Sequence, residues 1–202
     1  MQFKMQFGPV LASLFLLTAI PAFSQVAASA YRDGLPLVVG AGLSDYNIDW
    51  GGGRREDGGT VYADWTIRHI PRVLLGLGIE AEARDITFDA PAAISFMQYE
   101  TGGGGGIYHY LRPRNIHPYA KAGEAFGRIK FQPGDYPGTY HSDTRNYFYL
   151  GGGGDFHAWR HLWVRADYEY QVWEHLFGGN ALTPNGFTIG PEYDFGVPPG
   201  ER

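Results

Sequence analysis

Charged side chains recur at every second residue in two segments of the chain. Residues 79–84 read IEAEAR, and residues 164–169 read VRADYE. Successive side chains of a β-strand point to opposite faces, so each segment would place its charges on one face only. Charges of both signs are present, and they neutralise one another only where they lie close together. The sequence therefore predicts a charge network on one face, formed by Asp64, Glu80, Glu82, Arg84, Lys121, Arg165, Asp167 and Glu169.

Other residue types that could support catalysis or ligand binding occur in unfavourable patterns. His141, Ser142 and Asp143 have the residue types of a hydrolytic triad, but adjacent side chains point apart and cannot relay a proton. The Gly-x-Gly-x-x-Ala string at residues 76–81 lacks the following helix that a dinucleotide site needs. The seven histidines show no spacing typical of a tetrahedral metal site. We therefore predict no catalytic residue, no cofactor and no metal.

Composition and the first residues restrict the class of protein. The chain has no cysteine, which excludes disulfide scaffolds, thiolate zinc sites and cysteine nucleophiles. Its net charge of −5 argues against a nucleic-acid partner. Val10–Ile20 is an apolar run that follows a single basic residue, Lys4, and precedes small residues. This pattern predicts a cleaved signal peptide over residues 1–24, with residue 30 as the alternative end.

From Leu37 onward the sequence alternates with a period of two, which indicates strands rather than helices. Short turns alternate with longer loops, as in an up-and-down barrel of antiparallel strands. The predicted fold class is an all-β, eight-stranded antiparallel transmembrane β-barrel over residues 37–196, followed by a short tail, 197–202. The predicted strands are 37–49, 60–70, 73–86, 95–111, 116–131, 144–159, 162–174 and 185–196.

Alternation alone does not say which face of the barrel is inside. Three features favour an apolar face in lipid: charges that could pair within a narrow lumen, glycine runs inside strands (102–106 and 151–154), and aromatics near strand ends. The predicted interfacial aromatics are Trp65, Tyr108, Tyr110, Tyr119, Trp159, Trp163, Trp173, Tyr193 and Phe195. The alternative is a soluble periplasmic barrel of lipocalin type that binds a small apolar ligand.

The predicted lumen has more acids than bases. The inward acids would be Asp64, Glu80, Glu82, Asp155, Asp167, Glu169, Glu192 and Asp194, and the inward bases Arg68, Arg84, Lys121 and Arg165. This excess predicts that some carboxylates are protonated or face trapped water, and that any leak current prefers cations. Glu124 does not fit, because it falls on the lipid side; a bulge or a position near the outer rim would accommodate it.

The last strand carries the sharpest motif, Thr188-x-Gly190-x-x-Tyr193-x-Phe195. Together with the signal peptide and the eight alternating strands, it resembles the OmpA/OmpX-type outer membrane β-barrel proteins of Gram-negative bacteria over residues 37–196. The resemblance implies that Gly190, Tyr193 and Phe195 form the β-signal read by the barrel assembly machinery. The chain departs from the common pattern in that seven residues follow Phe195.

The resemblance implies an outer membrane protein with periplasmic termini, four extracellular loops and a structural or surface-interaction role. Expected partners are outer membrane lipid, the barrel assembly machinery during biogenesis, and an extracellular ligand or surface that the loops meet. A less favoured alternative is an outer membrane enzyme that modifies lipid, for which His141, Ser142, Asp143 and His175 are the candidate residues.

Overall fold

The computed structural model describes residues 36–49, 55–67, 74–88, 94–111, 115–133, 139–178 and 181–196. The predicted signal peptide and the tail after Gly196 lie outside these residues. Eight antiparallel strands pair in chain order and close into a barrel, which confirms the predicted fold class. They are β1 (Leu37–Asn47), β2 (Arg55–Thr66), β3 (Leu77–Phe88), β4 (Ile94–His109), β5 (Ile116–Pro133), β6 (His141–Trp159), β7 (Leu162–Trp173) and β8 (Asn185–Asp194).

The strand register determines the width of the barrel. Following paired residues once around the barrel from Leu37 leads through Trp65 and back to β1 at Asn47, a stagger of 47 − 37 = 10 residues. For eight strands, this stagger gives a tilt of about 40° and a radius of about 8 Å. A lumen of that size is just wide enough to be filled by side chains.

The apolar faces of the strands point outward. Leu43, Phe148 and Ile189 are 77%, 66% and 59% exposed, whereas Arg165 and Glu169 on the opposite face are 2% and 1% exposed. An apolar band around the outside of a closed barrel is stable only in an apolar solvent, so the arrangement fits lipid and excludes the lipocalin-type alternative, which needs an apolar interior. No described helix is long and apolar enough to span a membrane.

Three strands begin three or more residues away from the predicted start. β6 begins at His141 instead of residue 144. β2 begins at Arg55 instead of residue 60, because Gly58 and Gly59 continue the ladder opposite Ser44 and Leu43. The glycines are strand residues in a crowded place: a Cβ on Gly58 would lie 2.3 Å from the Asp85 carbonyl oxygen. β3 begins at Leu77 instead of residue 73.

Three neighbouring strands extend beyond the others. β4, β5 and β6 contain 16, 18 and 19 residues, whereas the other five strands contain 10 to 12. β6 pairs with β5 from His141 onward, but its pairing with β7 begins only at Tyr147. At this end of the barrel, residues 141–146 therefore form an edge of a three-stranded sheet.

Candidate functional site

The lower half of the lumen, nearer the start of β1 and the end of β8, is organised around the Arg165 guanidinium. This group lies between the rings of Tyr62 and Tyr119, at 4.3 and 4.6 Å from their centroids. Aromatic faces on both sides leave only the edge of the guanidinium for hydrogen bonds. The edge contacts four carboxylates from four other strands: Asp64 at 2.5 Å, Asp155 at 2.8 Å, Glu80 at 2.9 Å and Glu192 at 3.2 Å.

His109 belongs to the same cluster, although the sequence analysis did not assign it there. Its Nε2 lies 3.1 Å from Asp155 Oδ2 and 3.4 Å from Arg165 Nη2, and its ring packs against Tyr119. The alternation that continues from β4 residues 105 and 107 places His109 on the inward face, so the signal was present in the sequence.

The middle of the lumen is organised around Lys121. Its Nζ lies 2.8 to 3.1 Å from carboxylate oxygens of Glu82, Asp167, Glu169 and Glu80. Arg84 lies above it and contacts Glu82 and, at 3.2 Å, Glu169. All these side chains are buried or nearly so. Such pairs are costly to desolvate, and removing one partner leaves an uncompensated charge.

The lumen accommodates its large side chains because glycines face them. A Cβ on Gly40 would lie 2.3 Å from the Tyr62 ring, and a Cβ on Gly127 would lie 2.1 Å from the Trp173 ring. Tyr149 lies in the same way over Gly105 and Gly123. The glycine runs therefore relieve crowding on the inward face, whereas Gly106 faces outward with open space around it.

An aromatic layer fills the lumen above the charges. Tyr147 stacks on Trp173 with ring centroids 4.9 Å apart, and Tyr99 packs on the same indole at 5.4 Å. The Trp173 indole N–H donates to Gln171 Oε1, and Gln171 in turn donates to Glu169, which ties the layer to the charges below. The buried members of this layer are Tyr46, Ile48, Ile86, Tyr99, Ala125, Ile129, Tyr147, Tyr149, Trp173 and Leu176.

The segment between β7 and β8 covers this layer. Leu176 is 3% exposed within it, and Trp173 and Leu182 exchange backbone hydrogen bonds. The backbone N–H of Phe177 donates to Asp143 at 2.7 Å. Slight desolvation would raise the pKa of Asp143, but the Phe177 N–H and the Arg145 guanidinium outweigh it and hold this pKa below its ordinary value.

A second carboxylate fastens the same segment. Asp49, after β1, accepts the backbone N–H of Thr183 at 3.0 Å and its hydroxyl at 2.9 Å. Aromatic rings and this fastened segment together cover the end of the lumen at which β1 ends and β8 begins.

Three of the predicted interfacial aromatics are wrong. Tyr119, Trp163 and Trp173 are 7%, 3% and 0% exposed inside the lumen, because they share the inward face with the charged residues of their strands. Of the others, Trp65 and Tyr193 face outward, 46% and 42% exposed, as predicted. Outward aromatics at the turn end of the barrel also include Tyr108, Tyr110 and Trp159.

Several other sequence predictions concern single positions. Asp194 is half-buried and accepts the backbone N–H of Gly196, and Arg68 lies outside the described residues. Glu124 pairs in register with Gly104 and Phe148 without a bulge, and the Asn146 amide lies 3.5 Å from its carboxylate.

Glu124 lies one outward position below the upper end of the apolar band. On the same outward face of β5, Phe126 is apolar, and Arg128 above it pairs with Glu100. Of the two explanations for Glu124, the structure therefore supports a position near the outer rim.

The candidate catalytic residues do not assemble into a triad. His141 stacks on Phe131 with ring centroids 5.3 Å apart, and Asp143 binds Arg145 and Phe177. Ser142 lies between them in the same strand, so its side chain points to the opposite face.

Comparison with known proteins identifies the family. The sequence pattern of the family described as outer membrane protein beta-barrel domain matches residues 14–195. This chain belongs to that family. A search of curated protein sequences finds no match.

Solved structures of outer membrane barrels share the fold of this family member. Neisserial surface protein A aligns with a TM-score of 0.64 and 13% identity over 79% of this chain and 97% of its own. Ail, the attachment invasion locus protein of Yersinia pestis, aligns with a TM-score of 0.53 and 16% identity over 81% of this chain and 99% of its own. The N-terminal barrel of Pseudomonas aeruginosa OprF aligns with a TM-score of 0.51 and 14% identity over 79% of this chain and 99% of its own.

In this outer membrane barrel, the predicted β-signal residues lie where β8 closes against β1. Tyr193 faces outward, and its ring meets that of Phe195 edge to face at 4.8 Å. Gly190 leaves no room for a side chain, since a Cβ there would lie 2.0 Å from the Ala41 carbonyl oxygen.

Proposed function

We propose that this outer membrane barrel acts as a closed, non-catalytic scaffold that interacts with other molecules outside the cell through the edge of its extended β4–β6 sheet. The filled lumen supports the first part of this proposal, because it leaves the described barrel without a path for solutes. The observation that carries the second part is the edge formed by residues 141–146.

The direction of the edge hydrogen bonds follows from the strand ladder. The backbone N–H of His157 donates to the carbonyl of Asn115, next to the beginning of β5. The odd-numbered residues of β6 therefore direct their backbone N–H and C=O groups toward β5. The even-numbered residues Ser142, Thr144 and Asn146 therefore direct theirs away from β5, beyond the point where β7 ends its pairing with β6. Exposed backbone N–H and C=O groups of this kind bind an extended peptide as an added strand.

The chemistry of the edge fits a peptide ligand of an extracellular protein. Backbone groups supply affinity that depends little on sequence, and alternate side chains supply selectivity. The extension also carries Tyr140, 54% exposed, whose ring lies 4.6 Å from Lys130 Nζ. Ail, which shares this fold, is described as an attachment invasion locus protein, and this supports a surface-interaction role.

The β-signal role of Gly190, Tyr193 and Phe195 is part of the same proposal. During insertion, this strand would be recognised by the barrel assembly machinery, and the outward pair of aromatics would lie at the lipid interface. Cleavage of the signal peptide precedes this step.

Ser142→Pro tests the edge, because proline removes one outward-directed N–H without removing a bond to β5. Ser142→Ala is the matched control, since it keeps the N–H. Bacteria that lack the gene are complemented with each variant at equal outer membrane levels and are measured for attachment to glass coated with serum proteins. We expect Ser142→Pro to lose attachment and Ser142→Ala to keep it. Equal attachment by both variants would overturn the proposed edge.

Envelope integrity is measured in the same strains by uptake of a hydrophobic dye. A purely structural role predicts that the deletion raises dye uptake and that both variants restore the barrier, with no difference in attachment.

A further inference from the structure

The luminal network contains more carboxylates than cations. Three permanently cationic side chains, Arg84, Lys121 and Arg165, face seven carboxylates. Buried charge needs a counter-charge or a proton, because the lumen has lost the solvation that water provides. The carboxylates are Asp64, Glu80, Glu82, Asp155, Asp167, Glu169 and Glu192.

Lys121 cannot satisfy all the oxygens around it. Its ammonium group has three hydrogens, but four carboxylate oxygens lie within 3.1 Å of Nζ. Glu80 Oε1 is the most distant of the four, and it receives no hydrogen bond in the described part of the barrel. The other oxygen, Oε2, is bound by Arg165.

Asp64, directly opposite Glu80 on the neighbouring strand β2, also has one carboxylate oxygen that receives no hydrogen bond from a described residue. Asp64 of β2 and Glu80 of β3 are paired in register, which places their Cβ atoms about 5 Å apart on the inward face. Asp64 Oδ2 is bound by Arg165 Nη2, whereas Oδ1 receives no hydrogen bond from any described residue. The two residues are 1% and 3% exposed. Two neighbouring buried acids therefore each hold one oxygen that lacks a donor.

We propose that Glu80 carries a proton on Oε1 and donates it to Asp64 Oδ1, so that the two residues form a carboxyl–carboxylate pair. One O–H···O⁻ bond satisfies both oxygens at once and removes one negative charge from the lumen. Two carboxyl groups that share a site in this way hold a proton that separate surface acids would release.

A metal ion fits this position less well than a proton. Among the described residues, the group of three carboxylates with ligand atoms within 4.8 Å of one another is Glu82, Asp167 and Glu169. The Lys121 ammonium already contacts all three at 2.8 to 3.0 Å, so a lysine side chain occupies the position that a metal ion would take.

The surroundings of the pair come from almost every strand. Facing it are titratable or charged groups of β2 to β8, and β1 contributes Gly40, against which Tyr62 packs. These groups are Tyr62, Glu82, His109, Tyr119, Lys121, Asp155, Arg165 and Glu192.

Infrared spectroscopy of the folded barrel in nanodiscs at neutral pH tests the proposal. A protonated carboxyl group absorbs separately from carboxylates, and solvent-exposed acids are ionised at this pH. We expect a carboxyl band in the wild type that is weakened in both Asp64→Asn and Glu80→Gln. Asp45→Asn, at an exposed carboxylate paired with Arg55, is the control and keeps the band.

Both luminal variants should fold, because an amide N–H can replace the carboxyl O–H. A wild type without the band, or a band unchanged in both variants, would overturn the proposal. Elemental analysis after dialysis against a chelator is the second measurement, and one tightly bound metal per barrel would also overturn it. These outcomes are independent of attachment through the β6 edge.

Discussion

Replacing Lys121 by methionine removes the central cation of the lumen while keeping most of the side-chain volume. Arg84 still contacts Glu82 and Glu169, and Arg165 still contacts Glu80. Among the described residues, Asp167 loses its ion pair and keeps the hydroxyl of Tyr119 as its one partner, at 2.7 Å. Leaving one buried charge uncompensated costs about 3–5 kcal/mol.

The measurement is urea unfolding of the refolded barrel in detergent micelles, followed by tryptophan fluorescence and by gel mobility of unheated samples. Lys130→Met is the matched control, because Lys130 lies on the extension beside the Tyr140 ring, where we expect a loss of less than about 1 kcal/mol.

A double variant tests the reason for the loss. Asp167→Asn combined with Lys121→Met removes the uncompensated charge and should recover part of the stability, whereas Glu82→Gln combined with Lys121→Met should recover less, because Arg84 still pairs with Glu82. If Lys121→Met stays within about 1 kcal/mol of the wild type, or if the two double variants behave alike, the reasoning is refuted.

Three further predictions concern packing and closure. Gly127→Ala should destabilise the barrel by about 1–3 kcal/mol in the same unfolding assay, because the added methyl meets the Trp173 ring, while Gly106→Ala, in open space, should have little effect. Trp173→Ala should cost about 3–5 kcal/mol and speed hydrogen exchange in the aromatic layer. Asp143→Asn should speed exchange of the Phe177 amide at constant pH, and since the pKa of Asp143 is lowered in the folded state, protonation of Asp143 in the wild type should lower the protection factor of this amide as the pH falls through the acid range. An unchanged protection factor at Phe177 in both cases would contradict the proposed contact.

Periodicity in the sequence was sufficient to predict the architecture and the facing of the charges. Alternation assigns Glu80 and Arg165 to one face whatever their distant partners are. It also places Trp163 and Trp173 on the face of Arg165, so their interpretation as interfacial residues ignored a signal that the sequence contained. Aromatic residues near strand ends occur both at lipid interfaces and in luminal layers. Only the face on which the strand alternation places them distinguishes the two.

Specific partners could not be predicted in this way. Arg165 binds Asp64 across 101 residues of sequence, and this contact depends on the stagger of the closed barrel rather than on any local pattern. The start of β2 was missed because glycines usually favour loops, whereas Gly58 and Gly59 pair with β1 in a crowded part of the sheet. Most of the β4–β6 extension was predicted; residues 141–143 of β6 were missed for a related reason, since their polar sequence is that of a loop.

Side chains fill the lumen, and we propose that the barrel therefore acts through its exterior. Conductance of the purified wild-type barrel in planar lipid bilayers, with incorporation verified by gel mobility, tests whether the lumen is closed. The structure predicts no steady current above that of the bare bilayer. A stable open channel in the wild type would contradict it.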